Sequence, residues 1–217
     1  MSAAPVEHSA YPNEDRPLPL LEAANRLMEQ APGYRVEIIG GQLTVTPPAD
    51  LPHSRVLNKI TRPFVAAGLD DGETEVHQGI GLWLPGGPED YAIPDLVVVD
   101  ADSDEHLVRN NCYDPVVFRL VLEVTSSNYN TDLRSKVGAY ASAGVAVYVI
   151  VNRQHQRLHV LTDPENGDYG THRVYAPGEL ATLPDSLGAK VTLDVDELLA
   201  AGRPQPRKKA APPAPEA

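Results

Sequence analysis

The run from Val116 to Asn152, VVFRLVLEVTSSNYNTDLRSKVGAYASAGVAVYVIVN, constrains this chain more than any other. An apolar run, Val116 to Val124, is interrupted near its end by one carboxylate, Glu123. A polar loop over 126–130 comes next. A helical pattern then begins near Thr131 and stops at Gly144, and a second apolar run spans Val145 to Val151. Short β-branched runs flanking a helix of about a dozen residues predict a parallel, right-handed βαβ unit. A carboxylate on a buried strand is costly unless a cation pairs with it, so Glu123 needs a partner.

A second acid sits in the same kind of place. Ile93 to Val99, IPDLVVV, is an apolar strand with Asp95 near its start. Neighbouring strands would turn Asp95 and Glu123 into a carboxylate pair, whose mutual repulsion a divalent cation relieves. Hard oxygen ligands without a histidine or thiolate cluster favour Mg2+ or Mn2+ over zinc. The predicted helix adds Asp132, Lys136 and Tyr140, which recur every four residues and share one face. Read alone, that spacing is a surface Asp–Lys pair contributing about 0.2–0.5 kcal/mol beside a packing tyrosine. Read with Glu123 at the end of the preceding strand, it lets Lys136 reach the same spot as the acids.

Upstream, Leu20, Leu21, Ala24, Leu27 and Met28 fall on one face of a helix that Pro32-Gly33 ends. Tyr34, Val36 and Ile38 then alternate, Gly40-Gly41 turns, and Leu43 and Val45 alternate again, predicting a β-hairpin. Glu37 falls on the face opposite the apolar one, the ordinary place for a solvated strand residue. His53 to Ala67 has helical spacing, with Pro63 kinking or breaking its second half. Val76, Ile80, Leu82 and Leu84 read as one strand ending at Pro85-Gly86-Gly87-Pro88, and a loop follows Val99. Beyond the central unit come strands near Arg157–Leu161, His172–Tyr175 and Lys190–Leu193, then a short helix, Val195 to Ala200. One domain over 17–201 is expected, with disordered tails at 1–16 and at 202–217, the latter Pro/Ala-rich with an RKK cluster.

At 217 residues the chain can bury a full core. Its net charge of −12, from 30 acidic and 18 basic residues, argues against non-specific coating of nucleic acid or anionic membrane but not against one local pocket. The single cysteine, Cys112, excludes an internal disulfide and paired-cysteine zinc spacing. No apolar segment approaches the ~20 residues that span a bilayer, and the first residues lack a signal-peptide pattern. A cytoplasmic protein is therefore expected. Gly79-x-Gly81 lacks the third glycine of a dinucleotide fingerprint, no Walker-type GK[ST] occurs, and Ser126-Ser127 have no histidine partner in the motif.

The succession EIIGGQLTVTPP with a following histidine, then PDLVVVD, then LVLEVTSS continued by D-x-x-x-K-x-x-x-Y and GV resembles the Uma-type restriction endonuclease family of the PD-(D/E)XK superfamily. The likeness runs from about Tyr34 to about Leu199. It implies an α/β (α+β mixed) restriction endonuclease-like fold, a central mixed sheet flanked by helices with an N-terminal hairpin. It also implies Mg2+- or Mn2+-dependent cleavage of DNA. On it, Asp95 and Glu123 are metal ligands, Lys136 takes the lysine role and Glu37 joins the acidic cluster. Asp132 and Tyr140 support the site, and His53 is open between capping, packing and catalysis. The superfamily places lysine two residues after the glutamate, where this chain has Thr125; in this family the role moves to the helix. Val147 and Val149 replace the acid and tryptophan usual around the tyrosine after GV. Two other readings stay open: a catalytically inactive binding or scaffold protein of the same fold, and an enzyme acting on another phosphate-containing substrate. Cutting both strands of a duplex is easiest for a homodimer.

Overall fold

The computed structural model describes residues 19–125 and 135–204. Helix α1 (Leu20–Gln30) buries Leu21 and Ala24 against the hairpin that follows it, strands β1 (Arg35–Ile39) and β2 (Gln42–Thr46). The turn depends on Gly40 and Gly41, both at positive φ (59° and 70°), a conformation that a side chain resists. Their N–H groups donate to the buried Asp90 carboxylate at 2.8 and 3.1 Å, which fixes the hairpin to the chain ahead of the next strands.

Helix α2 (Leu51–Ala66) starts at Asp50, whose carboxylate accepts the His53 N–H at 2.7 Å. It runs through Pro63 without a break, correcting the expected interruption. Pro63 lies in the last turn, where its missing N–H forfeits one hydrogen bond while Val56, Ile60 and Phe64 are fully buried. The run around Val76–Leu84 is not one strand. It divides into β3 (Thr74–His77) and β4 (Gly81–Trp83), which belong to different sheets, and Gly79, at φ 71°, redirects the chain between them. Strands β5 (Tyr91–Ala92) and β6 (Leu96–Asp100) follow. The expected loop after them contains a 3-10 turn (Ser103–His106) and the short strands β7 (Leu107–Arg109) and β8 (Cys112–Tyr113).

The central unit is β9 (Phe118–Thr125), helix α3 (Val137–Ser142) and β10 (Val147–Asn152), and β9 and β10 are parallel as expected. Residues 131–134, where the helix was expected to begin, lie outside the described residues. Then come β11 (Arg157–Glu165), β12 (Asp168–Tyr175), β13 (Leu180–Thr182), β14 (Thr192–Asp194) and helix α4 (Val195–Ala201). Gly202 closes α4 by donating to the Leu198 carbonyl. The tail expected at 1–16 lies outside the described residues, as does the tail expected at 202–217 from residue 205 onward.

Among the described residues the strands form two six-stranded sheets, ordered β12-β11-β10-β9-β6-β3 and β2-β1-β5-β4-β8-β7, and a separate β13-β14 pair. One face of the first carries Leu96, Val98, Leu120, Leu122 and Val149 against α2 and α4. Its other face carries Val97, Val99, Val121, Tyr148 and Ile150 against α3, Ile39 and Leu82 of the second sheet, and Leu84 just past β4. Because side chains alternate along a strand, Asp95 and Glu123 fall on this second face, between the sheet and α3.

Candidate active site

Register brings the two strand acids together. Strand β6 pairs antiparallel with β9, Leu96 opposite Leu122. Continuing that register by one residue sets Asp95 opposite Glu123, with both side chains on one face. The Val124 N–H donates to Asp95 Oδ2 at 2.8 Å and locks the arrangement. Glu123 and Asp95 are 2% and 7% exposed, so neither is a surface acid.

The partner that Glu123 requires is Lys136, whose Nζ donates to Glu123 Oε1 at 2.7 Å. Tyr140, one turn further along the helix face, donates its hydroxyl to the same oxygen at 2.8 Å. The i,i+4 spacing thus serves a buried site rather than a solvated surface. Asp132, the third member of that face, lies outside the described residues, as do Ser126 and Ser127. Thr125, at the superfamily's lysine position, is buried on the same strand face as Glu123, and its Oγ1 has no hydrogen-bond partner among the described residues.

Glu37 is not solvated; it is 2% exposed, because the hairpin face opposite Val36 and Ile38 closes over the sheet acids. Its Oε1 accepts the Ile93 N–H at 2.8 Å and Lys136 Nζ at 3.0 Å. Arg35, two residues earlier on that face, donates Nη1 to Asp95 Oδ1 at 2.7 Å and to the Ile93 carbonyl at 2.8 Å, with Nε 4.0 Å from Glu37 Oε2. Charges therefore alternate along one chain of contacts: Asp95, Arg35, Glu37, Lys136, Glu123. His53 joins from α2, its Nε2 3.4 Å from Asp95 Oδ1. The Asp50 carboxylate that caps His53 also takes a bidentate contact from Arg153 Nη1 and Nη2 at 2.8 and 2.9 Å.

Sequence reasoning missed Arg35, Asp50 and Arg153. Arg35 had a usable signal, since it shares a strand face with Glu37. The Asp50–Arg153 pair spans 103 residues and has no local signature.

These groups line a cavity of about 560 Å³ whose walls include Thr44, Thr46, Pro47 and Pro48. Its electrostatics are divided. Burial opposes the Asp95 carboxylate, but the hydrogen bond from His53 and the charge of Arg35 prevail and hold it well below the usual carboxylate range. Glu123 moves the other way, to about 8, because burial, seconded by repulsion from Asp95, outweighs the attraction of Lys136. Burial works against the Arg35 charge, yet Glu123, Asp95 and Glu37 together raise its pKa.

Comparison with known proteins bears on the chain as a whole. Residues 21–196 match the family model Uma2, whose description is "Putative restriction endonuclease". The chain belongs to the Uma2 family. The resemblance read from the hairpin, PDLVVVD and LVLEVTSS segments is thereby met. No curated protein matches the chain. A similar solved structure is that of a "putative nuclease belonging to DUF820" from Anabaena variabilis, with a TM-score of 0.57 and 13% identity over 77% of this chain and 91% of that one. At that identity the likeness concerns the fold, which is the mixed-sheet nuclease architecture expected from sequence.

No helix among the described residues of this Uma2 chain is long and apolar enough to cross a membrane. Nor do three His, Cys, Asp or Glu side chains among them cluster closely enough to form a ready-made metal cage. The donors nonetheless fit a hard divalent ion in kind. Magnesium is commonly held by one or two carboxylates, with water and substrate phosphate completing its shell, and Asp95 and Glu123 open onto one cavity. The upward shift of Glu123, partly caused by Asp95, marks a site that an added cation would stabilise.

Proposed function

We propose that this protein is a divalent-metal-dependent endonuclease that hydrolyses phosphodiester bonds in DNA. The observation that carries the reading is the juxtaposition of Asp95 and Glu123 on adjacent buried strands, with Lys136 bonded to Glu123 at the floor of an open cavity. Four carboxylates (Glu37, Asp50, Asp95, Glu123) and three permanent cations (Arg35, Lys136, Arg153) line that cavity. With Glu123 ionised the wall is net negative by one charge, and a divalent ion both favours that ionised form and complements the phosphodiester.

Asp95 and Glu123 would hold Mg2+ or Mn2+, which lowers the pKa of bound water and neutralises phosphate charge when present. Lys136, fixed by Glu37 and Glu123, orients the attacking water or stabilises charge developing on the phosphate oxygens. Tyr140 holds the Glu123 oxygen that Lys136 also contacts, and His53 holds Asp95. The His53 position in turn depends on the Asp50 cap and its Arg153 fork. The test is cleavage of plasmid DNA with Mg2+ or Mn2+ by Asp95→Ala and Glu123→Ala. Wild-type activity in either variant would sink the assignment.

One observation favours a second reading, a nuclease-fold binding protein without catalysis. Lys136 already supplies positive charge between Glu37 and Glu123, where a metal would otherwise compensate them. That reading predicts no divalent-ion binding at the acids, and micromolar Mn2+ binding that disappears in Glu123→Ala would reject it.

A further inference from the structure

The cations of the cavity are not equally committed. Lys136 is 3% exposed and holds both Glu37 and Glu123. Arg153 spends Nη1 and Nη2 on Asp50 and Nε on the Gly202 carbonyl. Arg35 is anchored through Nη1 alone, by Asp95 and the Ile93 carbonyl. Its Nε lies 4.0 Å from Glu37 Oε2, outside hydrogen-bond reach, and Nη2 makes no hydrogen bond among the described residues. The Arg35 side chain is 24% exposed against 4% for that of Lys136. It thus lines the cavity with one nitrogen held fast and the Nε–Nη2 edge unspent. A planar guanidinium presented this way is suited to a phosphate oxygen, and its orientation costs little because Nη1 is already fixed.

We propose that Arg35 is the substrate anchor of this site, binding a non-bridging oxygen of the phosphodiester through its Nη2 edge while Nη1 keeps hold of Asp95. The inference rests on the phosphodiesterase reading above and adds a substrate-contacting residue to it. It also sets a division of labour. Asp95 and Glu123 serve the metal, Lys136 is confined between carboxylates, and Arg35 contacts the DNA backbone. A lysine at this position is a poorer anchor, since its single nitrogen, held by Asp95 and the Ile93 carbonyl, presents no second nitrogen edge to a phosphate.

The test measures binding of a fluorescein-labelled duplex oligonucleotide to the full chain in Ca2+, across a KCl series, for wild type, Arg35→Gln and Arg35→Lys. Mn2+ affinity is measured by calorimetry on the same proteins. Arg35→Gln is expected to bind DNA about tenfold more weakly, with a log K against log salt slope shallower by about 0.9 and Mn2+ affinity within about threefold of wild type. Should thermal melting show Arg35→Gln unfolded, Arg35→Lys carries the test, with weaker binding expected at a salt slope close to that of wild type because the charge is kept. Wild-type DNA affinity and slope in the folded variant overturn the proposal. So does a fall in Mn2+ affinity as large as the fall in DNA affinity, which makes Arg35 a support of Asp95 only. A wild-type chain that binds no DNA overturns the nuclease reading together with this one, whereas wild-type binding that the variants share overturns this one alone.

Discussion

Lys136 Nζ lies 2.7 Å from Glu123 Oε1 although thirteen residues separate them in sequence. The strand residue that could have supplied an amine, Thr125, sits two positions past Glu123 on the same face of the same cavity. The helix therefore delivers to the site what the strand lacks. Lys136→Met leaves Glu37 and Glu123 buried without their shared cation, a loss expected to cost about 3–5 kcal/mol in urea denaturation. DNA cleavage by the refolded variant should fall about a hundredfold or more. Adding Thr125→Lys to that variant should recover part of both quantities. A double variant no more active or stable than Lys136→Met would show that the two positions do not address one site.

Asp50 serves the α2 N-terminus and Arg153 at once, and two substitutions separate those tasks. Asn still caps a helix but cannot accept the charged fork, while Ala does neither. Asp50→Ala should lose about 1–2 kcal/mol. Asp50→Asn should lose less than half of that, because Asp50 is 54% exposed and an exposed ion pair contributes little. Equal losses in the two variants, measured by chemical denaturation, would place the stabilisation in the Arg153 fork instead.

The parts of this fold legible in sequence are those with local periodicity. The β9–α3–β10 unit, the Gly-Gly hairpin and helices α1 and α4 each announce themselves through alternation, helical spacing or turn chemistry. The lone acids were legible because a carboxylate in an apolar strand is anomalous wherever the strand goes. What stayed hidden depends on long-range partners. The Val76–Leu84 alternation continues across Gly79 although its halves enter different sheets, since periodicity reports which face is apolar and not which sheet receives it. Glu37 looked solvated for the same reason: a polar face of a hairpin can meet water or another polar cluster, and pattern alone does not distinguish the two.

Gly138 offers a check on packing between α3 and its neighbours. It lies inside α3, where glycine is about 1 kcal/mol less favourable than alanine unless a close approach needs the missing side chain. Among the described residues, a Cβ built there meets only the Gly167 carbonyl oxygen at 3.5 Å, an ordinary contact. Gly138→Ala should therefore stabilise the protein by up to about 1 kcal/mol through helix propensity. Gly81→Ala is the contrast, because its Cβ would run into Cys112 Sγ and approach the Asn111 carbonyl oxygen to 2.9 Å. That variant should melt several degrees lower. Destabilisation by Gly138→Ala would show instead that the packing around α3 has no room for the added methyl group.

A pH dependence separate from the acid cluster follows from the paired histidines of β11 and β12. His159 Nδ1 and His172 Nε2 lie 2.9 Å apart, and His159 is 6% exposed. Burial first, and then the neighbouring His172, His155 and Arg157, disfavour its protonated form and lower its pKa from 6.5 to about 4. Burial lowers His172 as well. A group whose folded pKa is depressed contributes stability above its unfolded pKa and loses it as pH falls through the folded value. The His159 contribution should accordingly decline from near pH 6.5 toward pH 4, where the unfolded chain takes up protons that the folded one refuses, while Glu123, raised to about 8 in the fold, works in the opposite direction over the same window. Carboxylates with lowered folded values, such as Asp95, lose their contribution only below that window. The melting temperature of His159→Gln should gain on that of wild type as pH falls from 7 to 4, because the variant lacks the His159 contribution. Parallel curves for the two proteins would remove His159 as a source of the acid sensitivity.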